Sequence, residues 1–194
     1  MQRYNALLQK VTDLYEAKDP GRNPWADWLW AHHVPIVIER AKKLAAQKGA
    51  DGELAAAAAL LHDVADVRVH RSSHMHGAES LRLAKELLTA AGYTAAEIVL
   101  VVDDAVALHS CHGGTRPASL EGQVFATADA LAHLDSDFYM YATWALANEG
   151  KSLDQIKAWA LPKLTRDFND KICFDDVQSA MRGRYDTLRV LFAL

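Results

Sequence analysis

Apolar residues recur along the chain at spacings of three and four, and no stretch alternates strictly between apolar and polar. Residues 4–17 place Leu7, Leu8, Val11, Leu14 and Tyr15 at helical spacing, and Asp19-Pro20-Gly21-Arg22 ends that helix. Asn23 predicts an N-cap, with Pro24 at the first position of a second helix that runs to about Lys48 and stops at Gly49. A third helix, about Gly52 to Asp63, contains the alanine run Ala55 to Ala59. Alanine favours helix and lets neighbouring helices approach closely, which predicts a central, buried position. Residues 64–75, VADVRVHRSSHM, read as a polar, irregular loop.

A fourth helix is expected at about 76–90, closed by Ala91-Gly92. Thr94 and Glu97 form a capping box for a fifth, which runs to about Ser110. After the loop at 113–117, helices follow at about 119–133 and about 136–148. Ser152 and Gln155 predict a capping box for the next, kinked or interrupted at Pro162, and the last covers about 175–192. With no repeat and no break in composition, the chain reads as one all-α domain over residues 1–194.

Composition narrows the class. Apolar residues are 51% of 194, enough for a real core and against disorder. The net charge is −4 and no Lys/Arg block stands out, which argues against a nucleic-acid polymer as partner. Two cysteines, Cys111 and Cys173, without a CxxC pair, argue against a disulfide scaffold or a separate structural zinc. The charged N-terminal stretch lacks the apolar centre of a signal peptide, and no later segment is apolar enough to span a bilayer. A cytoplasmic protein with no membrane partner is the expectation. All nine histidines fall between His32 and His133, so the chemistry is sought there.

The clearest signal is Leu60-Leu61-His62-Asp63, an imidazole beside a carboxylate at the end of the alanine-rich helix. Neighbours on a helix point about 100° apart and share a cation only if it lies beside the helix end. Alone, the pair reads more often as a solvated helix terminus. Upstream, His33 opens the inward stripe Val37, Ala41, Leu44, and this register favours it over His32. Its bland alternative is a satisfied core histidine. Downstream, Asp129 sits among Val124, Ala128 and Leu131, where a carboxylate is costly unless paired or metal-bound. A salt-bridged surface carboxylate is the alternative there.

The ordered set His33, His62-Asp63, Asp129 resembles the H…HD…D signature of the HD superfamily. HVPIVIERAKKLA, AAALLHDVAD, VVDDAVALHS and ATADALAHLD resemble its successive elements. The resemblance covers roughly residues 26–140, with helices 1–25 and 141–194 flanking that core. It implies a helical HD-domain bundle that hydrolyses a phosphate ester or anhydride. The substrate class would be a small phosphorylated metabolite, among which nucleotides are included. It also implies that His33, His62, Asp63 and Asp129 hold a divalent metal. Imidazole with carboxylate suits Mn, Fe, Co, Ni or Zn better than Mg alone.

Asp66, three residues past the pair, stands where some HD hydrolases have an acidic general acid/base; a loop carboxylate is the equal alternative. His76 and His109 occupy places where dinuclear HD proteins have extra ligands. Around a single metal, His76 would contact phosphate and His109 would orient water. Arg68 and Arg71, with His70 and His74, could neutralise substrate phosphate from the loop; solvated residues are the alternative. His112 is a further residue in reach of the site. Trp25, Trp28 and Trp30 read mainly as packing anchors, and the stretch LPKLTRDFNDKICFDD as a flank or lid on the core. Two other functions stay open: a di-iron oxygenase, which needs His76 and His109 as ligands, and a metal-binding module without turnover. No GYP element supports cyclic-dinucleotide hydrolysis. An oligomer is compatible with all of these.

Overall fold

The computed structural model describes residues 2–193, and among these the regular structure is helical throughout. Helix α1 spans Gln2–Glu16 and α2 only Ala26–Trp28, which passes through a π turn, Leu29–His33, into α3, Val34–Lys48. Gly49, at φ 78°, closes α3 in a left-handed conformation that glycine adopts without strain. Helix α4, Gly52–Leu61, is capped by the Asp51 carboxylate, which accepts from Glu53 and Leu54 N–H. Ala55 to Ala59 are fully buried, as their size predicts, and α4 packs against both α3 and α7, Leu120–Leu134, which also pack on each other. These three helices form the centre of the larger hydrophobic cluster.

Helices α5 (His76–Ala90) and α6 (Ala95–Ile98) come next, and α6 continues through a π segment, Val99–Val106. Both expected capping boxes form, at Thr94/Glu97 and Ser152/Gln155. Helix α8 covers Phe138–Asn148, α9 Leu153–Arg166, a π turn Asp167–Lys171, and α10 Asp175–Ala193. They build a second apolar cluster around Phe138, Tyr139, Leu164 and Phe168, against Ala130 and Leu134 of α7. The C-terminal stretch is therefore a packed flank. Among the described residues, no helix is long and apolar enough to cross a membrane.

Three expectations need correction. Asn23 does not cap a helix: Trp25 stands at the N-cap, and the buried Asn23 reaches across the fold instead. Residues 64–75 are not uniformly a polar loop, because Val64–Val67 form a 3-10 turn that is wholly buried. Helix α9 runs through Pro162 without interruption. The π turns at 29–33 and 167–171 each end on a buried, chemistry-bearing residue, His33 and Lys171. A π turn inserts one extra residue and rotates the chain beyond it, a device frequent at functional sites.

Candidate metal centre

His33 at the end of the π turn before α3, His62 just past α4 and Asp129 on α7 converge. His33 Nε2 lies 3.1 Å from Asp129 Oδ1, and His62 Nε2 lies 3.9 Å from the same oxygen. His33, His62 and Asp129, all buried, thus offer three ligand atoms within 4.8 Å of one another. Asp63 joins this group through His62, with Oδ2 3.4 Å from His62 Nε2. His32, by contrast, is exposed.

The donor chemistry fits a cation. Nδ1 of His62 donates to the Ala59 carbonyl at 2.8 Å, which leaves Nε2 facing two carboxylates. An imidazole nitrogen grouped with carboxylate oxygens is a donor set that suits a divalent cation, and a bond from the other ring nitrogen to a carbonyl is usual for metal-bound histidine. Burial alone would raise the Asp129 carboxyl, but His133, Lys171 and His33 hold it well below the usual carboxylate range. Asp63 is likewise held low against burial, by Arg71 and then His62.

His109 is built like His62. Its Nδ1 donates to the Val106 carbonyl at 2.7 Å, and its ring centroid lies 5.5 Å from that of His62. A cleft of about 180 Å³ opens on His62, Asp63, His76 and His109. His76 points elsewhere, with Nε2 2.9 Å from Asp66 Oδ1.

Asp66 is not a loop carboxylate at the surface: it is fully buried. Oδ1 accepts from Asn23 Nδ2 at 3.0 Å as well as pairing with His76, and Oδ2 accepts from Arg71 at 2.7 Å. Arg71 uses the same nitrogen on Asp63, so it clamps both carboxylates, while its buried Nε has no partner among the described residues. Arg71 also lines a cavity of about 570 Å³ with Trp25, His70, Lys151 and Trp159. Arg68 is not drawn in: its exposed side chain has no ion pair to the cluster, and its charge is felt by Glu79 instead. His74 and His112 are also exposed. Trp28 stacks on Tyr141 at 3.8 Å and Trp30 on Tyr15 at 4.3 Å, as packing anchors do.

Sequence reasoning missed a second buried group behind Asp129. His133 stacks parallel to His33 at 5.0 Å and places Nε2 3.5 Å from Asp129 Oδ1. Its Nδ1 lies 3.1 Å from Asp167, which also accepts from Tyr139 Oη at 2.8 Å and pairs with Lys163 at 3.2 Å. Lys171 pairs with Asp129 Oδ2. A signal existed: Lys163, Asp167 and Lys171 succeed one another at steps of four, a single helical face of alternating charge.

Two imidazoles, buried at His133 and half-buried at His109, give an acid-side prediction. Burial first, with Lys171 adding to it at His109, pushes His109 from the ordinary 6.5 down to about 4; burial likewise pushes His133 down to about 3. Between about 6.5 and about 4 the unfolded chain takes up protons that the folded chain refuses, so stability falls as pH drops. The depressed carboxylates act lower, below the ordinary 3.8. The melting temperature of metal-free protein is expected to decline steadily over that upper window; a flat profile would contradict it.

The profile of the HD domain matches residues 30–134, more than half of the chain, and the protein belongs to the HD-domain family, whose members are usually metal-dependent phosphohydrolases. Among solved structures, the chain is similar to selenomethionine YpgQ from Bacillus subtilis. The TM-score is 0.70 at 21% identity, covering 97% of this chain and 92% of that one. That likeness bears on the fold. No curated protein sequence matches.

Proposed function

We propose that the protein hydrolyses a phosphate ester or anhydride in a small phosphorylated metabolite, using a divalent cation held by His33, His62, Asp63 and Asp129. The observation that carries this reading is the convergence of the His33, His62 and Asp129 ligand atoms, with Asp63, which Arg71 holds, beside them. When bound, such an ion polarises a phosphoryl oxygen and lowers the pKa of a coordinated water. Mn, Fe, Co, Ni and Zn suit the donor set better than Mg.

The protein's own residues divide the remaining work. Arg71 supplies a fixed guanidinium whose charge would neutralise a substrate phosphate. His109, neutral near pH 7 with Nδ1 committed to a carbonyl, has Nε2 as the acceptor for a water proton. Asp66 is assigned to holding Arg71 and His76, since neither of its oxygens is left free for proton transfer. The cavity between Trp25 and Trp159 is roomy enough for the flat ring of a nucleotide, and Arg71 joins it to the cluster.

The test is a phosphate-release screen of nucleotides and sugar phosphates with each divalent ion, on protein purified without chelator. Metal-dependent release abolished by EDTA is expected. Tightly bound iron, oxygen consumption and no phosphate release would replace this reading with an oxygenase.

A further inference from the structure

Apart from His133, the buried group behind Asp129 comes from outside the segment that matches the HD profile. Lys171 is 3% exposed, and lysine is almost never buried without a partner. Its ammonium meets Asp129 Oδ2, while the imidazoles of His33, His62 and His133 all lie toward Oδ1. The carboxylate is thus split, one oxygen to the ammonium and the other to the ring nitrogens.

The ammonium is held in place from two sides. Asp167 Oδ1 lies 3.8 Å from it, and Asp167 is itself fixed by Tyr139, His133 and Lys163. The backbone around Lys171 is laced to α7, where Thr127 Oγ1 donates to the Lys171 carbonyl at 3.3 Å and accepts from Cys173 N–H at 3.0 Å. Charge also points to a specific effect. Asp63, Asp66, Asp129 and Asp167 face Arg71, Lys163 and Lys171, so the pocket carries one net negative charge when its histidines are neutral. Without Lys171 that excess doubles.

We propose that Lys171, anchored by Asp167, is a positioning residue for Asp129. It claims Oδ2 and presents Oδ1 alone to the imidazoles and to the cation they would share. This rests on the reading that the cluster holds a divalent ion. A carboxylate kept to one oxygen leaves a coordination position open for water or phosphate, at a cost in metal affinity.

The test is calorimetric titration of the chelator-stripped full chain with Mn²⁺. Lys171→Met frees Oδ2 and removes a positive charge beside it, so Mn²⁺ is expected to bind at least about tenfold more tightly. The Mn²⁺-induced rise in melting temperature should also exceed that of the wild type. At saturating Mn²⁺, kcat falls, so affinity and turnover move in opposite directions. Lys171→Arg, which keeps the charge, should restore wild-type affinity. Asp167→Asn leaves the ammonium to Asp129 alone, so Mn²⁺ binding should weaken several-fold; this variant decides the matter if Lys171→Met does not fold. A folded Lys171→Met with unchanged or weaker Mn²⁺ binding would reduce Lys171 to an ordinary buried ion pair, as would tighter or unchanged binding in Asp167→Asn. If the wild type binds no Mn²⁺, the metal reading falls too; if it binds and Lys171→Met fails to tighten, only this proposal falls.

Discussion

Replacing His62 by alanine is expected to remove metal binding and turnover together while leaving the helical bundle folded. His62 is 3% exposed at the end of α4, held by its bond to the Ala59 carbonyl. It is the residue that brings Asp63 and Asp129 to a common point, 3.4 and 3.9 Å from its Nε2. Losing an outer-sphere partner already costs metal sites about 10–100-fold in affinity, so losing this central ligand should cost at least about 100-fold. A fall in kcat/KM of about 10³-fold, or about 4 kcal/mol of transition-state stabilisation, is expected to accompany it. The fold persists because the alanine run beneath His62 packs independently of the ring. Mn²⁺ titration with circular dichroism checks both halves, and wild-type affinity in a folded His62→Ala protein would remove His62 from the ligand set.

The second large effect is expected at Asp66, and it falls on stability as well as rate. Asp66→Ala strips three partners from a buried site at once, the Asn23 amide, the His76 ring and the Arg71 guanidinium. Breaking a buried ion pair from one side typically costs about 3–5 kcal/mol, because the remaining charge stays buried. Arg71 keeps Asp63 as a partner and its side chain is 31% exposed, which places the expected loss below that range. Turnover should fall about 100-fold as Arg71 and His76 lose their fixed positions, while Mn²⁺ affinity changes far less, because all four proposed ligands remain. Urea denaturation and phosphate-release kinetics separate the two effects. Full stability with lost turnover would return Asp66 to a direct role in proton transfer.

These two residues also show how far the sequence can be read. His62 is legible because its evidence is local: an HD pair closing an alanine-rich helix, with His33 and Asp129 in the expected order on apolar faces. The helices are legible for the same reason, since Asp51, Ser119 and Ser152 cap them through neighbours two or three residues away. The burial of Asp66 is not legible, because its partner Asn23 is 43 positions distant and looks like an ordinary cap. The Asp129–Lys171 pair spans 42 positions and joins two helical surfaces that the sequence does not place side by side. The π turns are hidden as well, because one inserted residue hardly alters a 3.6-residue periodicity, yet it decides which way His33 and Lys171 face.

Anomalous diffraction from crystals grown with Mn²⁺ tests the central claim most directly. The account predicts one strong peak per chain, within bonding distance of the Nε2 atoms of His33 and His62 and of carboxylate oxygens of Asp63 and Asp129. A second peak about 3.5–4 Å away would make the site dinuclear and bring His76 and His109 back as ligands. No peak among those four residues, with Mn²⁺ bound elsewhere or not at all, would contradict the account.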